Sequence, residues 1–300
     1  MEKDSRRRDR FNKSKKYLSK NPNKSKKFEG RNLVRSSDKR EINREINREI
    51  AHSTLKDSEN GYYEYRGNKI RLLEGHTRYY SHIDIPIHVS TKNMSNNIIY
   101  SENTTIKACK EQYFRTMQTP CALVFASAKK PGGGWLNGAD AQEESIARCS
   151  CLYTFLSKEP KLYKDNLGSD GFYTDGITYC ESVPIFKNEE GDYEAEVCYA
   201  NFLACPAVNV NNVKNAKDNA ENIRIAMKVR IDNILNVMYR EKQTHIILGA
   251  YGCGVFGNDP QVIAGIFSEL LNNKYIGVFD EIIFAIPDEA IRNIFQREIC

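Results

Sequence analysis

The sequence predicts an α/β protein of three layers, with helices on both faces of a central sheet. Three observations carry this. Short apolar runs alternate along the chain with longer stretches of helical period. The runs show little period-two alternation, as expected of strands covered on both faces. Two of them lead directly into glycine-rich turns that open helices, the strand–turn–helix arrangement of α/β folds.

Residues 1–38 are rich in Lys, Arg, Ser and Asn and carry few apolar anchors. Such a segment cannot bury enough surface to offset its ordering entropy, so a disordered basic tail is expected. Residues 1–50 hold 18 Lys and Arg against 8 Asp and Glu, whereas the remaining 250 hold 26 against 31. The basic character therefore belongs to the N-terminus. Arg6-Arg7-Arg8 and Lys13, Lys15 and Lys16 read either as a nuclear-import or polyanion-binding cluster or as a solubilising tail. At residues 40–51 the tetrapeptide REIN occurs twice and is followed by REIA. A period of four puts Ile42, Ile46 and Ile50 on one face of a helix continuing to about Lys56.

The elements that follow are read from the same patterns. Strands are expected at Ile83–Val89, Ala122–Ala128, Val197–Ala204, His245–Ala250 and Glu281–Ile286. Helices are expected at Thr104–Met117, Ala141–Leu156 (with Asp140 as N-cap), Ala216–Arg240, Asp259–Asn272 and Asp288–Phe295. Residues 157–196, with many Gly, Asp, Tyr and Lys, read as a long excursion with one or two short strands.

Composition excludes several classes. There is no apolar run of about 18 residues, so no membrane span is expected. The charged start, MEKDSRRRDR, is no secretory signal. Nine cysteines at irregular spacing, several inside apolar runs, read as reduced, buried thiols of an intracellular protein, cytoplasmic or nuclear. Neither they nor the five histidines have metal-binding spacing, so no metal or other cofactor is expected.

Two constellations carry chemistry. Residues 131–144 read PGGGWLNGADAQEE. Gly132, Gly133 and Gly134 allow close approach of backbone to a ligand. Gln142, Glu143 and Glu144 then fall in the first turn of a helix. Acids there complement the helix dipole in any protein, but three glycines just upstream have no equally plain structural reason. Residues 249–258, GAYGCGVFGN, form a second glycine-rich strand-to-helix turn, suited to a pyrophosphate. It contains G-x-G-x-x-G at Gly252, Gly254 and Gly257. The acid expected about 20 residues later in a dinucleotide-binding unit is missing. Two such turns suggest one phosphorylated, sugar-containing ligand held from both sides. Ser145 lacks a nucleophile elbow. Cys253 lacks a histidine partner and reads as a small packed residue. Trp135 and Phe256 flank the glycine runs and are candidates for stacking on a base or ribose or for the core, with a ligand contact favoured for Phe256.

The run ASAKKPGGGWLNGADAQEESIARCSCLYTFL resembles the signature of the microbial-type poly(ADP-ribose) glycohydrolases, and ILGAYGCGVFGNDPQVIAGIF resembles their phosphate-loop segment. The REIN helix and GYYEYRGNKI at 61–70 are similar to the family's N-terminal region. The resemblance covers about residues 40–300. It implies a macrodomain-like α/β/α fold with a mixed central sheet and an N-terminal helical extension, residues 39–300 being the catalytic unit. It also implies metal-independent hydrolysis of ribose–ribose O-glycosidic bonds in poly(ADP-ribose). Glu144 would be the catalytic acid/base and Glu143 would hydrogen-bond ribose hydroxyls. Gly132, Gly133, Gly134 and Gln142 would lie at the ligand, Gly252, Cys253, Gly254 and Val255 would wrap the diphosphate, and Phe256 would pack on the distal ribose. Lys130, Trp135 and Val124 stand where the family more often has an asparagine, a smaller aromatic and a polar residue. The implied partners are poly(ADP-ribose) or ADP-ribosylated proteins, with non-specific nucleic-acid contact through the tail. A monomer without membrane contact is expected. Two other readings stay open: a macrodomain that binds ADP-ribose or removes single units from proteins, and a polyanion-binding adaptor acting through the tail.

Overall fold

The computed structural model describes residues 36–87 and 95–299, with side chains from residue 39 onward. The tail expected over residues 1–38 lies outside the described residues, except where the first helix opens. That helix, α1 (Ser36–Asn60), extends the REIN periodicity in both directions. A hairpin of β1 (Tyr62–Tyr65) and β2 (Asn68–Arg71) follows. The chain then builds a seven-stranded sheet in the order β3-β6-β7-β5-β8-β9-β4. Its strands are β3 (Thr77–Tyr80), β4 (Ile98–Ser101), β5 (Cys121–Phe125), β6 (Ile177–Lys187), β7 (Tyr193–Cys205), β8 (His245–Leu248) and β9 (Glu281–Ala285). The β3–β6 and β6–β7 pairs are antiparallel, and the pairs from β7 to β4 are parallel. The sheet is therefore mixed.

Helices cover both faces. On one side α6 (Ala220–Arg240), α7 (Pro260–Leu271) and α8 (Glu289–Glu298) bury Met227, Ile231, Phe267 and Phe295 against Leu203, Leu248 and Phe284. On the other, α2 (Thr105–Thr116), α3 (Gln142–Cys149) and α4 (Leu152–Lys158) bury Ile106, Ile146 and Leu152 against Val124, Ala204 and Ile283. A short α5 (Lys161–Asp165) precedes β6. Several helix starts follow capping chemistry: Thr104, Asp259 and Asp288 accept from Lys107, Gln261 and Ile291 N–H.

Three expectations are corrected. First, residues 83–87 of the expected strand Ile83–Val89 have no regular structure, and the rest lies outside the described residues. The half-buried alternation at Ile83, Ile85 and Ile87 is real, but Pro86 has no N–H for a ladder, and Ile83 N–H donates to the Asn233 side chain at 2.9 Å. Second, residues 157–196 contain β6 and the start of β7, which have 11 and 13 residues. Irregular pairing between Cys180 and Val183 and between Ile185 and Lys187, with Ser182 at φ 56°, hides their alternation. Third, the helix expected over Ala141–Leu156 breaks at Ser150, whose backbone is extended and bridges Ile185 of β6.

Candidate active site

β5 and β8 pair only at Cys121–Ile246 and Ala122–Ile247, and no pairing joins them beyond that point. The crevice between their carboxyl ends is where ligands bind in open α/β sheets. The two glycine-rich turns meet there, around a cavity of about 1050 Å³.

The first turn presents the carboxylates. Gly132 and Gly133 have φ of +64° and +56°, left-handed backbone that favours glycine. A Cβ on Gly133 would collide with Glu144 Oε1 and meet Glu143 Oε2 at 3.1 Å. Glycine here makes room for the two acids. Gly134 N–H donates to Glu144 Oε1 at 2.9 Å, and Ser127 N–H donates to Glu143 Oε2 at 2.7 Å. Glu143 is 3% exposed and Glu144 9%. Burial pushes the Glu143 carboxyl well above the ordinary carboxylate range. The N–H groups of Ser127 and Gly132 pull it down, and the neighbouring Glu144 adds to the rise. Glu143 Oε1 is buried with no protein hydrogen-bond partner among the described residues, an acceptor suited to a ligand hydroxyl.

Gly133, Gly134, Gln142, Glu143 and Glu144 line the cavity. Gly132 is tied to packing: a Cβ there would lie 2.8 Å from Cδ1 of Trp135. Trp135 is core, 2% exposed and packed with Ala51, Ala147 and Tyr153. Asp140 does not cap α3. Ala141 occupies that position, and Asp140 pairs with the buried Arg148, which also donates to Ala139 O. The Gln142 amide, expected at the ligand, is bonded to Phe125 N, Leu123 O and Thr105 Oγ1.

The second turn supplies the opposite wall, from Gly252 to Phe256. Gly252 has φ +75°, with Asn258 Nδ2 and Ala207 where its Cβ would stand. Asn258 Nδ2 ties the loop to Val208 O and Gly252 O at 2.8 and 3.1 Å. Cys253 N–H and Gly257 N–H turn inward to Ala250 and Gly254 carbonyls. A Cβ on Gly254 would meet nothing within 4 Å. Val255 is 76% exposed. The half-buried Phe256 ring lies 6.2 Å from Tyr173. Burial pushes the Cys253 thiol up to about 12, with Asp259 adding to the shift, so it stays protonated and is no nucleophile near neutral pH.

A third wall comes from elements outside both glycine turns and was not expected from the sequence. Asn43, Ile46, Asn47 and Ile50 of α1 line the cavity, as do Glu189 and Glu190 of the β6–β7 turn and Asp288 and Ile291 at the start of α8. The signal for α1 was present: Asn43 and Asn47 repeat at the same period of four as the isoleucines. No local signal marked Glu189 and Glu190, which the β6–β7 pairing brings in.

The family model "microbial-type PARG, catalytic domain" matches residues 51–188. Comparison with curated protein sequences finds no match. Among solved structures, poly(ADP-ribose) glycohydrolase from Thermomonospora curvata bound to the inhibitor ADP-HPD is 30% identical, with a TM-score of 0.75. The alignment covers 85% of this chain and 99% of that one. Poly(ADP-ribose) glycohydrolase from Deinococcus radiodurans in complex with ADP-ribose is 34% identical over 68% of this chain and 84% of that chain, with a TM-score of 0.64. With its glutamate pair held between two glycine turns at the parting of β5 and β8, this chain belongs to the microbial-type poly(ADP-ribose) glycohydrolase family.

Proposed function

We propose that this protein hydrolyses the ribose–ribose O-glycosidic bonds of poly(ADP-ribose), releasing ADP-ribose, with Glu144 as general acid and base. The observation that carries the assignment of roles is the convergence of both carboxylates on the Gly133 backbone at the wall of one large cavity. Acids placed side by side do not flank a scissile bond as a nucleophile and acid pair do. One of them performs both proton transfers. The Glu144 carboxyl O–H protonates the leaving ribose oxygen as the C1–O bond breaks. Water then adds to C1 of the oxocarbenium ion and gives its proton to the Glu144 carboxylate. Glu143, with Oε1 unpartnered, receives a ribose hydroxyl. The glycine turn from Gly252 to Val255 faces the diphosphate, whose charge stabilises the cation, and Phe256 packs on the distal ribose.

Residues 39–300 contain all of these groups and, in this reading, form the catalytic unit. No described helix is long and apolar enough to cross a membrane. The basic residues before α1 add non-specific attraction to the polyanionic substrate. The test is incubation with poly(ADP-ribose) and measurement of released ADP-ribose. Glu144→Gln keeps size and one acceptor but transfers no proton. Turnover should fall at least about 10²-fold, with ADP-ribose affinity held within several-fold. Near-normal turnover in this variant removes Glu144 from the mechanism. Release from proteins carrying single ADP-ribose units, with none from the polymer, moves the substrate assignment.

A further inference from the structure

β5 continues past its last pairing with β8, at Ala122–Ile247, to Phe125. In a parallel sheet, successive residues direct their N–H and C=O groups to alternate edges. Ala126 N–H bonds Cys205 O of β7, so the even positions face β7 and the odd positions face the β8 side. Past the Ala122–Ile247 pair the ladder with β8 stops, so the Leu123 C=O and the Phe125 N–H lack a β8 partner, and buried backbone groups must be satisfied elsewhere. The Gln142 side chain does this. Its Oε1 accepts from Phe125 N–H at 2.9 Å, and its Nε2 donates to Leu123 O at 2.8 Å. The second Nε2 proton goes to Thr105 Oγ1 at 3.0 Å, in the first turn of α2. A primary amide offers the same donor and acceptor as a peptide group, so it substitutes for one residue of the missing strand. The next odd position, Ser127, donates to the next side chain, Glu143 Oε2. The first two residues of α3 thus read the β5 edge in register.

We propose that Gln142 is a positioning residue of the active site. Its amide wedges the sheet open between β5 and β8 and sets the depth and rotation of the helix carrying Glu143 and Glu144. The inference rests on the roles proposed above for those two acids. Both Nε2 protons are committed and Oε1 already accepts from Phe125, so the amide is spent mainly on the protein, with one Oε1 lone pair left over. Leucine would fill the space but leave Leu123 C=O and Phe125 N–H without partners. An ionised glutamate would accept from Phe125 N–H but set a second acceptor against Leu123 O. Only its protonated form restores both bonds.

The test uses the full chain with Gln142→Leu and Gln142→Glu. Four quantities are read: kcat and KM on poly(ADP-ribose), ADP-ribose Kd by calorimetry, and amide hydrogen exchange at Phe125. For Gln142→Leu, kcat should fall at least about tenfold, as displacement of reacting groups predicts. Phe125 exchange should rise by a similar factor, and Kd should stay within about threefold. For Gln142→Glu, activity relative to wild type should be highest at acid pH and fall as the new carboxyl ionises. The Gln142→Leu ratio should be flat with pH. Kd and KM weakened together with kcat intact would make Gln142 a ligand contact and overturn the proposal. So would unchanged Phe125 exchange with pH-independent activity ratios in both variants. If the wild-type chain releases no ADP-ribose, the assigned reaction fails, and Phe125 exchange still decides the wedge.

Discussion

Glu143 holds a costly position. Its carboxyl is almost fully buried, its Oε1 has no protein partner among the described residues, and burial holds its pKa above the ordinary range. The folded state therefore binds its proton more tightly than the unfolded chain does. Whatever stability Glu143 contributes is fully present below its unfolded pKa and is lost as pH rises through the folded one. Glu143→Gln removes this titration while its carbonyl still accepts from Ser127 N–H. The expected outcome, read by calorimetry without ligand, is that the Tm difference, variant minus wild type, increases from pH 5 to pH 8. A difference that is constant or decreases over that range would place the shifted titration elsewhere. Turnover should fall as well, because in the proposed mechanism the same group receives a ribose hydroxyl.

At the scale of the element, the two glycine turns are alike in sequence but unlike in what they require. Gly133 is needed by the protein itself, through its positive φ and the carboxylates packed against it. Valine there is expected to disturb the acids and the fold together, which makes it a poor probe of binding. Gly254 has open space where a Cβ would point. Gly254→Val should therefore leave Tm nearly unchanged and weaken ADP-ribose binding at least about tenfold, equivalent to about 1.4 kcal/mol. Calorimetry showing wild-type affinity in this variant would move the ligand away from the second turn. Both turns were legible as glycine runs after apolar strands. Which glycine serves the fold and which serves the cavity was not, because that depends on atoms ten or more residues away. Asp140 makes the same point. A local cap was the economical reading, but Arg148, one helical turn past Glu144, takes its carboxylate.

Across the whole molecule, α1 is part of the body that encloses the cavity. Asn43, Ile46, Asn47 and Ile50 line the cavity. Thr54 Oγ donates to Arg148 O on the glutamate helix at 2.8 Å. The buried Lys187 donates to Ser53 Oγ at 2.7 Å and lies 4.5 Å from the Tyr193 ring centroid, joining α1 to β6 and β7. Gly138 and Gly191 leave room for Arg44 and Ile50. Removal of residues 1–35 is thus expected to leave kcat within about twofold and to raise apparent KM mainly at low ionic strength, where the basic charge acts over the longest range. Removal through Asn60 strips one cavity wall and uncovers Trp135. That chain should lose both thermal stability and turnover. A stable, fully active protein lacking α1 would separate the helix from the site.

The alternation of strands and helices, both glycine turns and the glutamate pair were legible along the chain, because each is written in residues close together in sequence. The Gly132–Gly134 run, the spaced glycines of the second turn, apolar strands and capping side chains at Thr104, Asp259 and Asp288 act locally. The rest came with long-range packing. The lengths of β6 and β7 depend on pairing that tolerates irregular register at Ser182, which no periodicity reveals. The parting of β5 from β8, and with it the work of the Gln142 amide, depends on which strands are neighbours across more than 120 residues of chain. The uneven burial of two adjacent glutamates follows from how α3 meets Ser127 and Gly134, and it gives chemically identical neighbours different environments. Local chemistry writes the parts of this site. Long-range packing fixes the dielectric, the partners and the room around each of them.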